Sequence, residues 1–512
     1  MNRKDFLTSV WREPIHESNV PNLSEVESDE LSLSSYQPSA TTSIAAYVPR
    51  ESKAWDLRRV IHLLRRTNMG ATPENVQLFL DWGPSKTVDH IIDNAKKAPK
   101  LPKPDWLDKY PPGPEATQKE SEEYNMLSGL WSNQLQDGSG LVSVTSGIES
   151  KMFLFWHSHF ATNRMDYFWP QPGYLYIRLI QDYAFGDFKE FLRRMGLESA
   201  MLMYLNNNQN QKGSPNTNYA RELLELFTLG EGNGYTEKDI DEIARAITGY
   251  VTHTWDVKFE KHRYDDDVKI IFGKSGKFNY DDVINLLFQE KRELIARHLT
   301  RKLYRHFIYV NPPESVVNEL ANVLLEANFV IEPLLRTMLK SEHFFEDEFY
   351  GSVVSSPADY LGFIKNTFMI PDEINSDHYR GTNFWHSTMW GIGQTILEPP
   401  NVAGWPGHRQ WLNTAKLSDR WNNVPYLFFI NRLKIWEFAR KMSHPNNPFL
   451  LAREIAEYLL PVNLSDEDYR EMGDILLGGI PAYEWNIYDN GSINRILNLV
   501  QHIQRLPEFQ LN

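Results

Sequence analysis

A chain of 512 residues with 41% hydrophobic and 13% aromatic content is long enough to bury one large core or a few ordinary ones. Its 53 basic against 67 acidic residues give a formal charge of -14, and the absence of a dense Lys/Arg stripe argues against nucleic acid and anionic membrane surfaces as partners. The lack of cysteine excludes disulfides, thiolate nucleophiles and cysteine-ligated zinc or iron–sulfur clusters, and no run approaches the roughly 18 consecutive apolar residues of a spanning helix.

The chain starts Asn2-Arg3-Lys4-Asp5-Phe6-Leu7, which resembles the opening of a twin-arginine export signal. Trp11-Arg12-Glu13-Pro14 then stands where such a signal needs an apolar segment, so a cytoplasmic protein is expected, with export as the alternative. Residues 1–50 form an acidic Ser/Pro-rich arm without a sustained period, expected to be extended or disordered. From Trp55 a helical period begins, with Leu57, Val60, Ile61, Leu63 and Leu64 separated by arginines. Pro99 to Pro114 carries six prolines and reads as a surface loop.

Beyond it, apolar periodicity predicts helices near 120–135, 147–162, 174–185, 187–205, 216–229, 237–250, 280–289, 291–309, 314–327, 329–340 and 356–369. Thr236 before Glu237, Lys238 and Asp239 reads as a cap, and Gly230 and Gly249 as helix stops. One β-ribbon is expected over Tyr250 to Phe272, with Val268 to Phe272 answering Val251 to Phe259 across a turn at Asp265 to Asp267. The fold class is therefore mainly all-α: a multi-helix single body with a small β-ribbon and an extended N-terminal arm. Residues 51–430 form the main domain, and 431–512 a C-terminal helical segment packed on it.

Three segments carry chemistry. Met152 to Asn163 places His157 and His159 two apart in an apolar run, as metal ligands or acid/base groups, or as core histidines bonded to carbonyls. Asn206 to Gly230 places Glu222 and Glu225 on one helix face, flanked by leucines. Their carboxylates are candidate acid/base groups or hard ligands, unless Arg221, Arg245 or Arg297 claims them as ion pairs. Together His157, His159, Glu222 and Glu225 suit a divalent iron, manganese or zinc ion, and Asn206, Asn210 and Asn218 supply amides that orient a substrate. Glu398 to Asn413 specifies a rigid loop whose Trp405 and Trp411 either line a pocket or pack a structural turn. Gly230 to Gly234 follows a helix and Gly273 to Lys277 lacks Walker spacing, so neither indicates a nucleotide.

His62-Leu63-Leu64-Arg65-Arg66, Gly70-Ala71-Thr72-Pro73, Phe155 to Phe160, Met201 to Asn210, Pro215 to Leu226, Tyr235 to Gly249, Lys302-Leu303-Tyr304, Pro399 to Asn413 and Pro507 to Gln510 follow one another in the order of a known bacterial family. Over about residues 55–512 the chain resembles the family catalogued as domain of unknown function 1800. That resemblance implies one integrated helical unit and relatives that are frequently exported and often encoded beside proteins with a sulfatase- or phosphatase-like fold. It implies no reaction. The chain departs from the family pattern at Thr217, at Tyr264 and Asp267, and at Phe227, where relatives carry a glutamate, a His-Asp-x-Gly-x-Lys motif and a histidine. Two readings follow: an enzyme with a His/Glu site, metal-dependent or not, hydrolytic or oxidative; or a non-catalytic binding or assembly protein, glycan-related or acting with a bacterial partner.

Overall fold

The computed structural model describes residues 41–512 except 146, 168, 253 and 373–383. The first 40 residues of the arm, with the signal-like start, lie outside the described residues. The last part of the arm is docked: Tyr47 is buried, its amide donates to the Lys340 carbonyl at 2.7 Å, and Arg50 and Lys53 pair with Glu342 and Glu346.

Twenty-one α-helices make up most of the described chain, joined by two small antiparallel sheets. Helices stand in every expected stretch, although that near 187–205 is two, Phe188–Met195 and Ser199–Tyr204, and capping chemistry sets several starts. Thr236 and Asp239 form a capping box before Glu237–Ala246, and Asn279 and Asp282 another before Tyr280–Glu290. Helices absent from the periodicity reading are Pro73–Trp82, Pro84–Ala95, Phe384–Gly391, Thr414–Ile430 and Arg432–Arg440. Two of these open on proline, which is tolerated at the first helical position, and Thr414–Ile430 carries Pro425 inside, which obscures its pattern.

The expected single β-ribbon is instead two hairpins. β1 (Tyr250–Thr252) pairs with β2 (Val257–Phe259), and β3 (Lys269–Ile271) with β4 (Lys274–Gly276). The β3–β4 turn has positive φ at both Phe272 and Gly273, the backbone that closes a two-residue hairpin, so Lys269 to Ile271 meet their own neighbours and not Val251 to Phe259.

One continuous apolar core runs from Tyr47 to Phe509. The helix Ile148–His159 passes through it with ten residues buried, apolar on every side as a central helix must be. The segment His62 to Arg66 stitches the chain's two ends together. Arg65 donates to the carbonyls of Leu459 at 2.9 Å, Phe509 at 3.2 Å and Leu511 at 3.1 Å, and Arg66 to that of Phe349 at 2.7 Å. No helix among the described residues is long and apolar enough to cross a membrane.

Candidate functional site

The two histidines of Ile148–His159 have opposite surroundings. The Leu397 amide donates to His157 Nε2 at 2.9 Å, which leaves the ring proton on Nδ1, 2.7 Å from Tyr176 Oη; that hydroxyl donates in turn to the Phe160 carbonyl at 2.8 Å. Burial holds His157 neutral, its pKa down to about 3. His159 is 1% exposed among the rings of Phe155, Trp156, Phe160, Phe188 and Phe227, and neither of its nitrogens has a hydrogen-bond partner. The Phe227 carbonyl lies beside it but out of alignment. Phe227 is thus in contact with His159.

The two glutamates also part company. Arg221 donates to Glu225 at 3.1 Å and forks onto Glu237, while Arg245 is taken by Glu242 and Asp265. Among the described residues the half-buried Glu222 side chain has no hydrogen-bond or ion-pair partner. Burial, then the nearby Glu225 charge, pushes its carboxyl up to about 7, against the pull of Arg221. Two other carboxyls, Glu149 and Glu198, are also pushed up to about 7 by burial, but both serve helix starts. Glu149 curls over Gly147 in the first turn of its helix, and Glu198 accepts the Ser199 amide at 2.9 Å. Glu222 stands mid-helix with no such duty. Its phenolic neighbour is Tyr204, raised to about 12 by burial and then by Asp166 and Glu222.

A metal held by the four-residue set does not fit. His157 has spent both nitrogens, Glu225 belongs to Arg221, neither glutamate bonds to either histidine, and among the described residues no three His, Asp or Glu side chains converge as a site would require. Asn210 is likewise committed, donating to the Ala244 carbonyl at 2.8 Å and accepting the Asn216 amide at 2.8 Å. Asn206, in the left-handed region, and Asn218, at the start of the helix Asn218–Glu225, remain exposed. The tryptophan loop lies over the His157 side. Gly404 approaches Ser158 so closely that a Cβ would sit 2.4 Å from its carbonyl oxygen, and the Trp405 ring is 5.0 Å from His157. Trp411 is buried in a satellite cluster with Val354, Leu412, Leu417 and Leu511, which removes it from any binding surface.

What the motifs did not single out is the facing helix, Arg292–Phe307. His298, Lys302 and His306 recur every four residues and form one stripe, met in reverse order by Lys151, Phe155 and His159 of Ile148–His159. At one end His306 Nε2 lies 3.1 Å from the Lys151 carbonyl. At the other, His298 Nε2 and Lys302 Nζ share the Leu226 carbonyl at 3.1 and 3.4 Å, and both lie close enough to His159 to oppose its protonation. Burial, then Arg305, brings the Lys302 amine down to about 7, and burial, then Lys302, brings His298 to about 3. The clue in the sequence is a helix with seven basic or imidazole residues and only Glu293 to oppose them. A surface pocket of about 430 Å³ lies elsewhere, over Tyr235, Lys238, Asp239 and Phe272; Asp239 there is already committed to the Thr236 cap and the Phe272 amide.

The segment Asn218 to Gly230 therefore carries Glu222 on its helix, the Leu226 carbonyl under His298 and Lys302, and Phe227 against His159. No curated protein and no solved structure matches the chain. A family profile described as protein of unknown function (DUF1800) matches residues 62–511, which include every one of these groups, and the chain belongs to that family.

Proposed function

We propose that the chain is an enzyme using general acid–base catalysis, with Glu222 as its proton-transfer group. The observation that carries this reading is the contrast within one helix turn: Glu225 is neutralised by Arg221, whereas Glu222 is half-buried, unpartnered and set near neutrality. A carboxyl with that pKa exchanges its proton in the working pH range, and one left unpaired without a capping duty is the pattern of an acid–base group. Asn218, one turn earlier and exposed, is placed to orient a bound ligand. Turnover screened over ester, amide, glycoside and phosphate- or sulfate-ester substrates, with Glu222→Gln as the matched control, tests it: a loss of about 100-fold or more is expected. Turnover untouched by that change, or a Glu222 carboxyl that titrates at its ordinary value by isotope-edited infrared spectroscopy, removes the reading.

A second reading, a binding or assembly protein working with a partner such as a sulfatase- or phosphatase-like protein, rests on the helix Gln118–Ser143. Met126, Leu127 and Leu130 share one face of it and are 65%, 39% and 54% exposed. Replacement of all three by polar residues abolishes association under this reading and leaves turnover unchanged under the first.

A further inference from the structure

Two lysines between the same pair of helices, the buried Lys151 and the part-buried Lys302, are treated differently. Lys151 donates to Asp359 at 2.7 Å, with both side chains under a tenth exposed. Lys302 has no carboxylate. Its one bond is a 3.4 Å contact to the Leu226 carbonyl, which already accepts from His298 at 3.1 Å. Around it stand only groups that are neutral or positive: His298 and Arg305 on its own helix and His159 on the facing one. His159 is enclosed with both ring nitrogens unpartnered among the described residues, and Gly230, at φ +91°, lets His298 Nδ1 come close: a Cβ there would sit 3.2 Å from it. A charged amine has three protons to place, and this one has a single distant acceptor.

From this we infer that Lys302, with His298 and His159, forms a subsite for an oxyanion, the negatively charged group of a carboxylate, sulfate or phosphate ligand. The anion supplies the counter-charge that Asp359 supplies to Lys151, and Lys302 takes up a proton as it binds. His298 is turned toward the Leu226 carbonyl by its Nε2 proton, so its Nδ1 beside Gly230 is the atom that receives a proton if the ligand brings one. The inference is independent of Glu222, since it concerns binding and not turnover.

Calorimetric titration of the full chain with sulfate, whose charge is constant between pH 6 and 8, tests it. Binding is expected to weaken about tenfold from pH 6 to pH 8, because the Lys302 amine titrates near 7 in between. The heat is expected to depend on the buffer, reporting proton uptake. Lys302→Met, verified as folded by circular dichroism, is expected to abolish binding. His298→Gln, which keeps a donor for the Leu226 carbonyl, is expected to weaken it severalfold. Phenyl phosphate and phenyl sulfate form a second arm: tighter binding than the free ion assigns the anion to an ester-linked ligand, and equal binding assigns it to the free ion. Binding that is absent in the wild type, retained in Lys302→Met, or independent of pH overturns the inference.

Discussion

Two ends of the same helix pair show how a fold spends its polar groups. At the Lys151 end the buried charge is matched by Asp359, and His306 reaches the Lys151 carbonyl. At the His159 end, two turns along, Lys302 has no acid, His159 has no partner, and Glu222 on the neighbouring segment has no base. His159 is as deeply buried as Lys151, whereas Lys302 and Glu222 are part-buried. A structural site closes its hydrogen bonds because each open one costs about 1–3 kcal/mol. Function is proposed at the end where Lys302 and His159 lack charged or hydrogen-bonding partners, although Asp359 Oδ1 at the other end is also left open.

The largest expected effect comes from breaking the matched end. Asp359→Asn strands the Lys151 charge in the core and should cost about 3–5 kcal/mol in denaturant unfolding. A loss below about 1 kcal/mol would mean that the two ends do not differ in the way described. Next, His157→Phe removes the acceptor of the Leu397 amide and the donor to Tyr176, with a loss of about 2–3 kcal/mol, whereas His159→Phe, losing no bond, should change stability by less than about 1 kcal/mol. Equal losses in the two variants would sink the distinction between the histidines.

The open end should respond with the opposite sign. A carboxyl whose pKa is raised on folding resists ionising in the folded state, so Glu222 destabilises the protein as pH rises from about 4.5 to about 7, and the penalty is complete above that. Glu222→Gln should therefore stabilise by about 1–2 kcal/mol at pH 8, after discounting for partial exposure, and by nothing at pH 4. Lys302, lowered on folding, carries its penalty in full below about pH 7 and loses it progressively toward 10.5. Lys302→Met should stabilise by about 1 kcal/mol at pH 6, with the gain fading toward pH 10, as read from melting temperatures across pH.

The expected helices were legible because their apolar residues recur at the period of a helix and their starts carry side chains that cap amides, as Thr236 and Asn279 do. The β-region was only half legible. Alternation identified its strands, but pairing was decided by the positive φ at Phe272 and Gly273, which closes β3 on β4. The site was legible as a set of segments and not as a set of roles. Glu222 and Glu225 are equivalent in spacing and differ only in which of them Arg221 reaches, and His157 and His159 are equivalent in composition and differ only in what the helix end points them toward. His298 carried no motif signal in the sequence and Lys302 stood only within a family-matching stretch, because a basic residue on a helix is ordinarily a solvated one.

The sequence by itself determined the helical class, the helix starts set by local caps and the family, since these depend on neighbours within a few turns. The tertiary structure alone decided which polar groups are neutralised. A hydrogen bond or ion pair to Leu397, Tyr176 or Asp359 joins residues far apart in the chain, and only the packing of distant helices determines which partner arrives and which place stays open.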